Sequence, residues 1–293
     1  MTEVPWGISL DPRALLGLRR EIARFQPDII HAHDSHALQL SVWARRLVPG
    51  RATLVATRRV DFHVRRPSPW FRADRVIAIS EAVRAVLLSD GLSPGTLTVI
   101  PSGIDPAEVT RASHQPLDIR RRLGLAPGTP LAVNVAALVD HKDQRTLVRA
   151  AAAARASAPD LHWVVAGEGE LRPALEREIG ALGVADRVHL IGYIPEADAL
   201  IREGDVFVMS SKEEGLGSVV LNALALGKPV VATRGGGLPE VVAAEWLVPV
   251  GDPAALATKV VAALGSGTLS RLPKRFTALA MSASVLALYQ SLI

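Results

Sequence analysis

The densest chemistry in the chain lies between Lys212 and Val242. Glu214 is followed by Gly215, Leu216, Gly217 and Ser218, and then by an apolar stretch whose one polar side chain is Asn222. Ser211 stands just before the turn, after an apolar run that ends at Met209. A Gly-rich turn leading into a helix from Ser218 suits an anion. The first amides of a helix have no intrahelical partner and carry the positive end of its dipole. Asn222 is eight residues beyond Glu214, about 12 Å along a helical axis at ~1.5 Å per residue. An elongated nucleotide-diphosphate sugar matches that length, with Glu214 at the sugar, the amides at the diphosphate and Asn222 at the ribose. On these residues alone, a Gly turn feeding an ordinary helix, with Glu214 as a first-turn charge, fits equally well.

Further polar groups sit where apolar runs end. Lys142 closes the segment from Val133; by itself it reads as a surface lysine. Gly167, Glu168 and Gly169 follow an apolar run and fit a plain strand-to-helix turn. Tyr193, in Gly192-Tyr-Ile194-Pro195, suits core packing slightly better than stacking on a base. His31 and His33 end a strand, where open α/β sheets bind ligands; a structural role for both fits as well. Arg58 and Arg59 follow the next strand end and belong with Arg65 and Arg66 to a nine-residue cluster offset by Asp61. Such a cluster can meet an anionic acceptor or an anionic membrane face.

These groups need a scaffold, and the apolar pattern supplies one. Short β-branched runs alternate with Ala/Leu/Arg stretches of helical period, which calls for parallel sheets covered on both faces. The pattern predicts strands over 28–31, 52–57, 75–79 and 97–100, and helices over 12–25, 37–47 and 81–90. After a turn at 101–106 and a polar linker to about 115, it predicts strands over 131–135, 161–166, 188–190, 206–209, 229–232 and 246–248. Helices are expected over 144–156, 171–181, 197–203, 218–226 and 253–264. A length of 293 residues suits two domains. The first half offers four strands, or five with Glu3–Trp6, where a full dinucleotide-type sheet needs about six.

Composition narrows the function. No cysteine is present, which excludes thiolate catalysis and a cysteine zinc site. The N-terminus lacks the pattern of a secretory signal, and no apolar run approaches the ~18 residues of a membrane span. The net charge of +4 is modest and no aromatics alternate with a basic stripe, so no nucleic-acid partner is expected. A nicotinamide oxidoreductase would need a third glycine, which Gly167-Glu-Gly-Glu-Leu-Arg172 lacks.

The segment from Glu214 to Asn222 resembles the hallmark of family 4 of the retaining glycosyltransferases, which have the GT-B fold of two Rossmann-like domains. The hallmark is an acid, a Gly-aromatic-Gly turn and a second acid after seven residues. Glu214 matches the first acid, which implies contact with the donor sugar. Asn222 replaces the second and Leu216 the aromatic. Val133–Lys142 resembles the first strand and loop of the donor domain, where the family places an Arg and a Lys on the diphosphate. Lys142 matches the Lys, Ala137 stands at the Arg position, and His141 or Arg234 are possible substitutes. The resemblance also implies that Gly167, Glu168 and Gly169 line the nucleotide pocket and that the backbone at Tyr193 and Ile194 meets the base. It implies that Ser211, Gly215, Leu216, Gly217 and Ser218 surround the diphosphate and sugar. His33 would face the sugar, and His31, Arg58 and Arg59 are acceptor-side candidates.

The expected architecture is therefore GT-B-like. An incomplete N-terminal Rossmann-like domain (1–112) precedes a donor domain (113–274) and a helix (275–293) returning to the first domain. The family's initial strand and Gly-rich loop have no counterpart. The expected activity is retaining, metal-independent hexosyl transfer from a nucleotide-sugar to a hydroxyl acceptor, without a cofactor. The acceptor hydroxyl would attack the face from which the diphosphate leaves, and the diphosphate would take the proton. Cell-envelope polysaccharide synthesis is the expected setting, cytoplasmic and peripheral on the inner membrane face, with a lipid-linked acceptor among the candidates. Self-association through the incomplete sheet is expected. A catalytically degenerate nucleotide-sugar binder is the alternative, and a nucleotide-sugar epimerase a weaker one.

Overall fold

The computed structural model describes residues 11–50, 52–266 and 270–293; the possible strand at Glu3–Trp6 lies outside them. The chain forms two compact units, residues 1–101 with 281–293, and residues 102–280.

In the first unit, α1 (Pro12–Phe25) starts on the Asp11 cap with Pro12 at its head, where a missing N–H costs nothing. It leads to β1 (Ile29–Ala32), α2 (Ser35–Ala44), β2 (Thr53–Arg58), β3 (Arg75–Ala78), α3 (Glu81–Ser89) and β4 (Leu97–Val99). The Asp34 carboxylate caps α2 by accepting from the His36 and Ala37 amides at 2.8 Å, and Ser80 caps α3. The strands form a parallel sheet in the order β1-β2-β3-β4, so among the described residues β1 pairs only with β2. Val55, Ile77 and Ile100 pack against Met281, Val285, Leu288 and Tyr289 of the chain's last segment.

The second unit opens with α4 (Pro106–Ala112) and α5 (Ile119–Arg122). Both fall in or just beyond the segment expected to be a linker, and residues 102–112 belong to this unit rather than to the first. The Asp105 carboxylate caps α4 ahead of Pro106. The Glu203 carboxylate takes the Leu117, Asp118 and Ile119 amides at 2.7–2.8 Å, which fastens the start of α5. There follow β5 (Leu131–Val135), α6 (Gln144–Ala154), β6 (His162–Ala166), α7 (Arg172–Ala181), β7 (Val188–Gly192), α8 (Ala197–Glu203) and β8 (Val206–Met209). The unit continues with α9 (Ser218–Ala225), β9 (Val230–Thr233), β10 (Leu247–Val248) and α10 (Pro253–Gly265). A last helix, α11 (Ala278–Gln290), spans the boundary between the units.

All six strands run parallel in the order β10-β9-β8-β5-β6-β7. In β5, β6, β8 and β9 the central residues are buried, as a sheet covered on both faces requires, whereas those of the edge strand β7 are partly exposed. Chain order proceeds one way from β5 and the other way from β8. The loops leaving the carboxyl ends of these neighbours therefore diverge, and a crevice at such a switch point is where open α/β sheets take ligands. No helix among the described residues is long and apolar enough to cross a membrane.

Candidate functional site

The two loops flanking this switch point carry the residues singled out by chemistry. The loop after β5 turns through a short 3₁₀ segment, Asp140–Lys142, and enters α6 at Asp143, whose backbone is left-handed (φ 47°). The loop after β8 runs through Ser210 to Gly217. They are stitched together: the Lys212 amide donates to the His141 carbonyl at 2.8 Å, and the Ser210 hydroxyl to the Lys142 carbonyl at 3.0 Å. Across this seam Lys142 Nζ donates to Glu214 Oε2. Both side chains are well covered, 18 % and 14 % exposed. A cation and an anion meet here in a setting that screens them less than open water does.

Backbone packing explains the surrounding glycines. A Cβ on Gly167 would lie 1.9 Å from the Ala136 carbonyl oxygen, and one on Gly169 2.4 Å from that of Leu138. Their close approach is therefore to the loop after β5, which the Leu138 amide ties down by donating to the Glu168 carbonyl. The Glu168 carboxylate points to Arg172, 3.2 Å away. On the other side a Cβ on Gly237 would lie 2.4 Å from the Gly215 carbonyl oxygen. The Gly237 amide donates to the Glu214 carbonyl at 2.7 Å. Glu214 is thus held by its side chain to Lys142 and by its backbone to the segment after β9.

The start of α9 has the form expected of it. Gly217 takes a left-handed backbone (φ 86°), and no side chain caps the helix. Ser218 is exposed at its head. Leu216 is placed differently from the expectation of a donor contact: its side chain is 1 % exposed, so only its backbone can face a ligand. Ser211 is fully buried and lies 3.5 Å from Glu214 Oε2, which makes it a support for Glu214. Ala137, at the vacant cation position, is exposed, and its carbonyl accepts from Gln144.

Two residues near the far end differ from the sequence reading. Tyr193 is 75 % exposed rather than packed in the core; Ile194 beside it is half-buried. Asn222 is bonded within the protein: its Nδ2 donates to Asp198 Oδ1 at 2.7 Å. Asp198, in the first turn of α8, carried no signal in the sequence beyond being an acid on a helix.

In the first unit, His31 is occupied. Nδ1 lies 2.5 Å from the Tyr289 hydroxyl and Nε2 2.7 Å from that of Thr57. Burial, with a smaller contribution from His33, pulls its pKa down to about 4. A neutral ring donates from one nitrogen and accepts at the other, so both are used and none is left for an acceptor. His33 is exposed beside it, ring centroids 4.2 Å apart. Arg58, only 7 % exposed, lies over the Trp70 ring and donates to the Phe62 carbonyl at 2.7 Å. It anchors the following loop, whereas Arg59 is exposed. Among the described residues no group of three or more His, Cys, Asp or Glu side chains is placed to hold a metal ion.

The chain as a whole is similar to known proteins. It is similar to the putative glycosyltransferase EpsD of Bacillus subtilis, 28% identical over 83% of this chain and 69% of that protein. It is also similar to a GDP-mannose-dependent phosphatidylinositol monomannoside mannosyltransferase of Mycolicibacterium smegmatis, 35% identical over 58% of this chain and 47% of that one. The chain spans about half the length of several curated relatives it matches. Among solved structures, Anabaena HepE in complex with UDP and glucose shares the fold with a TM-score of 0.78, 23% identity and coverage of 98% of this chain and 84% of that one. The Glycosyltransferase Family 4 pattern matches residues 2–108 and the pattern "Glycosyl transferases group 1" residues 117–278. With most of its second unit and over half its length matched, the chain belongs to the group 1 glycosyl transferases, on the GT-B fold.

Proposed function

We propose that the chain transfers a hexosyl group from a nucleotide-diphosphate sugar to a hydroxyl acceptor with retention of configuration. The observation that carries this reading is the Lys142–Glu214 contact across the switch point, beside the uncapped start of α9. Lys142 and Glu214 neutralise each other. An incoming diphosphate takes Lys142 as its counter-ion and frees the Glu214 carboxylate to accept from sugar hydroxyls. The acceptor oxygen bonds to the anomeric carbon as the bond from that carbon to the diphosphate oxygen breaks. The departing diphosphate receives the acceptor's proton. Charge building on that oxygen falls on Lys142 and the first amides of α9, so the step needs no metal. His33 is the group of the first unit proposed to face the sugar.

Relatives of this chain are named as a putative colanic acid biosynthesis glycosyltransferase and a phosphatidylinositol monomannoside mannosyltransferase. A lipid-linked acceptor at the inner membrane face suits the exposed Arg59, Arg65 and Arg66. Among the described residues β1 pairs on one side only, an arrangement that suits self-association.

The test is incubation with a panel of nucleotide-sugars and lipid or glycan acceptors. Release of nucleoside diphosphate with a product of unchanged anomeric configuration by NMR is expected; an inverted product would overturn the retaining assignment. Asn222 and Ala137, at positions where the family carries charge, favour a second reading of binding without transfer. Donor binding with no product from any acceptor would establish that reading instead.

A further inference from the structure

We infer that Asp143 is a positioning residue for Lys142: its left-handed backbone, held by Thr146, fixes the turn from which the lysine reaches into the switch point. The inference rests on the nucleotide-sugar reading above.

Asp143 stands where α6 begins, yet it differs from the other polar residues at helix starts in this chain. Asp34, Ser80, Asp105 and Asp252 have extended backbones and accept from amides of the helix that follows, the usual form of such a cap. Asp143 has φ 47° and ψ 47°, and its carboxylate caps no amide of α6. That backbone is uncommon outside glycine, although Asp and Asn tolerate it better than most. Asp143 is 6 % exposed, and its Oδ2 accepts from the buried Thr146 hydroxyl at 2.7 Å. The Thr146 amide donates to the Asp143 carbonyl at 3.1 Å. A disfavoured conformation persists only where its surroundings hold it, here through both side chain and backbone.

The geometry being held is that of Lys142. The Lys142 amide donates to the Val139 carbonyl at 3.0 Å, and its carbonyl accepts from the buried Ser210 hydroxyl at 3.0 Å. The Asp143 amide donates to the Asp140 carbonyl at 3.1 Å. Gln144, fully buried, closes the loop by donating to the Ala137 carbonyl at 2.9 Å. Both polar groups of the Lys142 backbone are therefore engaged, and the dihedrals of Asp143 set the angle at which this turn meets α6. A right-handed or extended residue 143 would swing the Lys142 carbonyl off Ser210 and carry Nζ away from Glu214, to which it donates. An ordinary helix-start role for Asp143 predicts a change in stability alone.

The experiment is calorimetric titration with UDP and uridine, and with GDP and guanosine, below the melting transition of each protein. Wild type is compared with Asp143→Ala, Asp143→Asn, Lys142→Ala and the double variant Asp143→Ala with Lys142→Ala. Asp143→Ala loses the Thr146 bond and the tolerance of a left-handed backbone. Its preference for diphosphate over nucleoside should fall by about tenfold, the effect of losing one hydrogen bond to a charged group. Asp143→Asn retains both features and should retain the preference. Added to Lys142→Ala, Asp143→Ala should reduce the preference no further, because changes that act through one group are not additive. If the alanine variant does not fold, Asp143→Gly, which adopts φ 47° without strain but cannot bond Thr146, replaces it with the same expectation. An alanine variant that melts lower yet keeps the preference, an asparagine variant that loses it equally, or full additivity with Lys142→Ala would overturn the assignment. If Lys142→Ala leaves the preference unchanged, or no nucleotide binds the wild type, the nucleotide-sugar reading falls first and this inference with it.

Discussion

Lys142 Nζ bonds Glu214 Oε2 across the seam between the loops that leave β5 and β8. The two residues are 72 positions apart in the chain, yet the sheet order makes their loops neighbours. Under the proposed function, a ligand anion exchanges for Glu214 as the partner of Lys142.

Glu214→Gln should therefore separate binding from turnover. It frees Lys142 and removes the acceptor for sugar hydroxyls. Nucleoside diphosphate affinity should hold or rise, while transfer falls by about 10²–10³, the usual cost of one positioned transition-state contact. Parallel calorimetry and turnover would show this; normal turnover in the folded variant would remove Glu214 from the mechanism.

Ala137→Arg places a cation where an exposed alanine stands on the same loop as Lys142. It should tighten nucleoside diphosphates by about tenfold, the worth of one charge-assisted bond, and leave nucleosides unaffected. Equal tightening of both would mean that position 137 does not face the diphosphate.

Gly237→Ala should destabilise the second unit, because its Cβ would meet the Gly215 carbonyl oxygen at 2.4 Å. The backbone must shift, and that shift moves the Glu214 carbonyl to which the Gly237 amide donates. Melting should fall by several degrees, and transfer should fall even below the transition. Gly265, whose Cβ would meet nothing within 4 Å, is the control expected to tolerate alanine.

His31 makes stability depend on pH. Unfolded, its ring titrates near ~6.5; folded, at about 4, because burial disfavours the charged form. Between these values the unfolded chain binds a proton that the folded chain does not. Stability is therefore full above about pH 6.5 and declines as pH falls toward 4. Wild type should lose more melting temperature between pH 7 and 4 than His31→Gln, which does not titrate. Equal losses in the two proteins would contradict the assignment.

Local signals in the sequence were sufficient for most elements. Pro12 behind Asp11 marks the start of α1, and the bounds of β5, α8 and β8 follow from apolar runs ended by polar or Gly residues. The helix at Pro106–Ala112 was hidden in a segment read as linker, although Asp105-Pro106 is itself a start signal. The site was legible in its Gly-rich turn, in Glu214 and in Lys142. Contacts across the fold were not. Asp198 meets Asn222 over 24 residues and Tyr289 meets His31 over 258. No local period records such pairs, so the occupation of His31 and the engagement of Asn222 emerge only from tertiary packing. Leu216 shows the same limit: a turn residue in the sequence, it is buried in the structure.

The central claim is that the β5–β8 switch point holds a nucleotide diphosphate through Lys142. Calorimetric titration of wild type and Lys142→Ala with UDP and uridine, and with GDP and guanosine, tests it most directly. One diphosphate should bind with its nucleoside weaker, and Lys142→Ala should weaken the diphosphate by about 10–100-fold, the worth of a charge-assisted bond at ~1.5–3 kcal/mol, while changing the nucleoside little. Equal losses for diphosphate and nucleoside would contradict the account.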